Sequence, residues 1–168
     1  MTHPLIDQLR FTRLEWLRGL QDVSEEDGAR HIGQMNCISW IVGHLAWHEQ
    51  RYWLQRSQDN ILFPQLNVEH AYGAPMSTPS LKAMLEMWQT VTDATNPFLD
   101  TLTTEKLLAD LPLNGRSVGQ TTGSSVQRVT YHYWYHIGEI QAIRQLIGQS
   151  DLPEYVGDID GLAPYRPE

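Results

Sequence analysis

The 168-residue chain has one cysteine, Cys37, so no disulfide can form within it and no cage of thiolates can hold a metal. Basic residues are also scarce. Twelve Lys and Arg stand against twenty Asp and Glu, a formal net charge of −8, and no run of Lys or Arg makes a stripe that would attract a phosphate backbone. No nucleic-acid partner is therefore expected. No uninterrupted apolar stretch approaches the roughly 20 residues that span a bilayer, and residues 1–10 lack the apolar centre of a signal peptide. The expectation is a cytoplasmic protein with no membrane partner. A convincing set of strands, internal repeats and low-complexity tracts are missing as well.

What is abundant is aromatic and apolar surface. Six Trp and seven Tyr in a chain that is 41% hydrophobic supply the burial that an ordered core needs. The length suits one domain over residues 1–168. Leu5, Leu9, Leu14, Trp16, Leu17 and Leu20 recur mostly at helical spacing, which predicts a first helix over 4–20 with Pro4 in its first turn. Residues 22–34 read as a connection with a turn of helix after Ser24. Asn36 is a candidate cap for a second helix to about Arg56, with Ile41, His44, Leu45, His48 and Tyr52 facing inward.

Residues 57–77, with Pro64, Gly73 and Pro75, read as a long loop of the kind that shapes a site. Thr78-Pro79 signals a third helix reaching about Leu102, kinked or shortened at Pro97. A short helical turn is expected over 103–111, and Leu113-Asn114-Gly115-Arg116 is a turn able to close a small hairpin. The fourth helix carries Val126, Val129, His132, Tyr133, His136, Ile140, Ile143 and Ile147 and ends at Gly148. Four long helices predict an all-α four-helix bundle with long connecting loops, an architecture that builds metal sites from inward side chains on facing helices.

Three histidines in those helices point to such a site. His132 and His136 lie four residues apart, so they share a helix face, and His44 sits midway along an apolar helix opposite. Neutral imidazole suits zinc, nickel or iron, and three protein ligands leave a position for water or substrate. The alternative is a pair of core histidines bonded to Tyr131, Tyr135 or backbone carbonyls. His48 forms a second i,i+4 pair with His44 and reads as a rim residue or a fourth ligand. Glu139, one turn after His136, reads either as a carboxylate that orients an imidazole or accepts a proton, or as a solvated face residue. A di-iron site of the Glu-x-x-His type is disfavoured, because the order here is reversed. Cys37 reads as a small buried hydrophobe, and His3, His31 and His70 as loop or terminal residues without a special role.

The segments Asn36-Cys37-Ile38-Ser39-Trp40-Ile41-Val42-Gly43-His44-Leu45 and Tyr131-His132-Tyr133-Trp134-Tyr135-His136-Ile137-Gly138-Glu139-Ile140 resemble the DinB-like (DinB/YfiT) superfamily of metal-binding four-helix bundles. The looser pattern of helices and loops extends that resemblance over nearly the whole chain. It implies His44, His132 and His136 as ligands of a divalent metal, with His48 extra to the pattern. It also implies a homodimer acting on a small-molecule substrate, as a thiol-dependent S-transferase using a low-molecular-weight thiol. A metal-dependent hydrolase and a non-catalytic dimeric bundle with a structural metal are the alternatives.

Overall fold

The computed structural model describes residues 2–167; Met1 and Glu168, the two ends of the expected 1–168 domain, lie outside it. Helix α1 spans Pro4–Gly19, and the His3 ring accepts the Leu5 N–H at its start. Next comes α2, Glu25–Gly28, capped by Ser24. The second long helix, α3 (Ile38–Glu49), runs directly into a π-helical segment, Gln50–Arg56. Then follow α4 (Leu66–Glu69), α5 (Leu81–Leu99), α6 (Thr104–Leu108), α7 (Thr122–Leu146) and α8 (Ile159–Leu162). The described residues contain no strand; two isolated bridges, Asp110 with Thr121 and Leu113 with Arg116, close the turn before α7. Asn114 and Gly115 both take positive φ there, the backbone of a tight primed hairpin turn.

The fold is all-α, with α1, α3, α5 and α7 as its long rods. α3 packs mainly on α5, and α1 mainly on α7. Every residue of α3 is buried, so this helix has no solvated face and forms the centre of the bundle. On α7 the buried positions Val126, Val129, Tyr133, Ile137, Ile140 and Ile143 keep the spacing read from the sequence.

Some boundaries differ from the sequence expectation. Cys37, not Asn36, caps α3, and it makes no side-chain cap bond. α5 begins at Leu81 rather than Thr78, because the Glu25 carboxylate accepts the Leu81 and Lys82 N–H groups while Ser80 caps Ala83. The 57–77 loop contains α4 and is fastened from below: Trp40 Nε1 donates to Pro75 O, Trp47 Nε1 to Asn67 Oδ1, and Gln50 bonds the backbone at Leu62 and Phe63.

A charged group of four side chains crosses the middle of the bundle. Arg13 on α1 makes a two-pronged pair with Glu49 on α3 at 2.7 and 2.8 Å, both side chains buried. Tyr133 on α7 donates to the same carboxylate at 2.8 Å and accepts from Trp88 of α5 at 2.7 Å. Each long helix contributes one partner. Burial opposes the Arg13 charge, but the Glu49 carboxylate raises its pKa overall, and burial pushes the Tyr133 phenol well above its usual value, so both side chains stay protonated. The network fixes the rotation of α3 and α7, whose neighbouring residues His48 and His132 pack on each other.

Candidate metal centre

His44 comes from the middle of α3, and His132 and His136 from adjacent turns of α7. Their ligand atoms all lie within 4.8 Å of one another. His44 Nε2 is 3.3 Å from His132 Nε2, and His136 Nε2 is 3.1 Å from the same atom. Two nitrogens each about 2.0–2.1 Å from a tetrahedral centre are separated by about 3.3–3.4 Å, so the observed spacings match two edges of such a site.

The outer nitrogens determine where the protons are. His44 Nδ1 is 2.7 Å from the carbonyl oxygen of His70, which can only accept, so that nitrogen carries the hydrogen and the Nε2 lone pair is free. His136 Nδ1 lies 2.7 Å from Glu139 Oε2, which fixes the same tautomer. Two lone pairs therefore converge on His132 Nε2, and one hydrogen there can serve only one of them. His132 Nδ1 is buried without a partner in either tautomer. Leaving acceptors face to face is costly, and a cation satisfies all three at once. The residues present fit a divalent ion.

The surroundings keep the His44 and His132 rings neutral. Burial, with help from neighbouring imidazoles, pushes His44 down to about 4 and His132 to about 3, so their lone pairs are available at neutral pH. The His44 ring is stacked on Trp40, 5.2 Å away and 12° from parallel, and tilted against Trp47 at 5.2 Å. His44 and His136 are 6% and 7% exposed. His132 is half-buried and gives the trio its access to solvent. Beside it stand Tyr131 and Tyr135, both exposed.

His48 is placed differently. Its ring packs on His132 with centroids 4.1 Å apart, but it is outside the converging trio, and its buried Nδ1 has no partner. Cys37 is buried, with Sγ against Ser39 and the Ser77 carbonyl, at the far end of α3 from the site.

His70 has a place that the sequence did not reveal. It is 1% exposed, its Nδ1 donates to the Trp40 carbonyl at 3.3 Å, and its own carbonyl holds His44. A loop histidine acting through its backbone leaves no spacing signal. The Arg13–Glu49–Tyr133 group was equally hidden, since its members are 36 and 84 residues apart.

The family model described as the DinB superfamily matches residues 8–140, a span that includes all three histidines. No curated protein matches the chain.

Proposed function

The chain belongs to the DinB superfamily, and we propose that within it this protein is a metal-dependent enzyme that joins a low-molecular-weight thiol to a small electrophilic molecule. The observation that carries this reading is the convergence of the three Nε2 atoms, two of them stripped of their hydrogens by His70 and Glu139. His44, His132 and His136 would hold zinc or nickel. A divalent ion with three protein ligands would hold a thiol as thiolate in its remaining position.

The chain's residues supply the rest. Trp40 and Trp47 keep water from the His44 side, and the half-buried edge of His132 is where a substrate enters. Glu139 holds the hydrogen of His136 Nδ1 and so orients that ring. In the transfer itself the sulfur lone pair forms the new S–C bond, the leaving group departs with its electron pair, and the thiol proton passes to water.

Hydrolysis by the same three histidines is the nearest alternative chemistry. A structural metal is a second reading, and it has one observation in its favour: the His48 ring lies against His132 with a buried, unpartnered nitrogen. Metal-loaded protein incubated with a panel of thiols and a chromogenic electrophile separates the readings. Thiol-dependent turnover that disappears in His132→Ala supports the transferase. Thiol-independent product formation supports the hydrolase, and inactivity in both with metal still bound supports the structural metal. Light scattering on the same sample tests the proposed homodimer.

A further inference from the structure

Of the three histidines only His132 is half-buried, and it lines a depression of about 450 Å³ together with Ser124, Gln127, Arg128 and Tyr131. All five belong to α7. Arg128 precedes His132 by four residues in an unbroken α-helix, so the two side chains leave the same face one turn apart, with Cβ atoms about 5–6 Å from each other. Both open into one concavity.

Arg128 is exposed, and among the described residues it makes no hydrogen bond and no ion pair. Other arginines are spent. Arg10, Arg13, Arg18 and Arg30 pair with carboxylates, and Arg56 and Arg144 bond backbone carbonyls. Arg51 lies over Trp47 in a separate cleft that holds none of the three histidines, and Arg116 is exposed on the turn before α7. Arg128, by contrast, shares its concavity with a histidine of the metal centre. Among the described residues no carboxylate lines that depression, and the Ser124 hydroxyl is already bonded to Thr121. The guanidinium is therefore an uncompensated positive charge beside the half-buried edge of His132, on a chain whose net charge is −8.

We propose that Arg128 recognises an anionic group, a carboxylate or a phosphate, on the small molecule whose reacting atom sits at the histidine trio. The planar guanidinium offers paired N–H donors that match two oxygens of either group. One helical turn, about 5.4 Å, separates the two residues, which suits a molecule with a few carbons between its reacting atom and its anion. This assignment rests on the metal-centre reading above and adds the substrate class to it.

Calorimetric titration of the metal-loaded chain with 3-mercaptopropionate, 3-mercaptopropionamide and 2-mercaptoethylphosphonate tests it. The three share a thiol for the metal and differ in the far end. Titrations are run on the wild type, on Arg128→Gln and on Arg116→Gln, with metal content measured on every sample. The tighter of the two acids identifies carboxylate or phosphate as the anion, and it should bind the wild type at least about tenfold more tightly than it binds Arg128→Gln. The amide should bind both equally, and Arg116→Gln should match the wild type. Equal affinity of the acids for wild type and Arg128→Gln, with metal bound in both, overturns the assignment and leaves the metal centre standing. An equal loss in Arg116→Gln also overturns it, because net charge alone then accounts for the effect. A chain that takes up no metal overturns the metal-centre reading and this assignment with it.

Discussion

The His44 ring is oriented by the backbone of His70: Nδ1–H donates to that carbonyl at 2.7 Å, and the His70 ring in turn rests where Gly43 has no side chain. A Cβ on residue 43 would lie 2.5 Å from His70 Nδ1 and 2.6 Å from its Cε1, closer than packed atoms tolerate. Gly43→Ala must therefore displace His70 and release His44. The expected result is a loss of metal affinity of about tenfold or more with helix content preserved, read by chelator competition and circular dichroism. His70→Ala keeps the carbonyl and should weaken binding less.

The carboxylate of Glu139 does for His136 what that carbonyl does for His44. Glu139→Gln retains an acceptor without the charge, whereas Glu139→Ala removes it. Metal affinity should fall in that order, within the roughly 10- to 100-fold range typical of partners that orient a ligand imidazole. Chelator competition on the two variants checks both the order and the size.

The buried group centred on Glu49 makes a stability prediction that is independent of any metal. Tyr133→Phe strands the Trp88 N–H and removes one of the two donors to Glu49 Oε1, which keeps Arg13 Nε, and should cost about 1–3 kcal/mol. Glu49→Ala leaves the Arg13 guanidinium buried with only Thr95 and Asn96 as partners, and about 3–5 kcal/mol is expected. Urea unfolding of metal-free protein measures both.

Acid should weaken the metal-free fold in a defined window. His44 and His132 stay neutral in the folded chain down to about 4 and about 3, against an ordinary value of 6.5 that applies once the chain unfolds. Between about 6.5 and 4 the unfolded state therefore binds more protons, and stability rises with pH across that range. The melting temperature of metal-free protein should fall as pH drops from 7 to 5. Alanine at both positions should flatten that slope.

Much of this architecture was legible because α1, α5 and α7 bury one stripe of side chains at helical spacing. Residues Val126 to Ile143 show the pattern directly. His44, His132 and His136 were legible for the same reason, since their spacing within helices fixes the face they share. What escaped depended on contacts between distant segments. The start of α5 is set by Glu25, more than fifty residues earlier, and the orientation of His44 by a carbonyl in a loop without periodicity. The π-helical turn at Gln50–Arg56 leaves no mark in residue type, because Gln50 is drawn into the 57–77 loop by bonds that only the folded chain makes.

Metal analysis of the purified chain and its single-histidine variants reaches the centre of the account most directly. The wild type should carry about one divalent ion per chain, and His44→Ala, His132→Ala and His136→Ala should each lose it, while His48→Ala keeps it. Full metal occupancy surviving in all three ligand variants, or its loss in His48→Ala alone, would contradict the site described above.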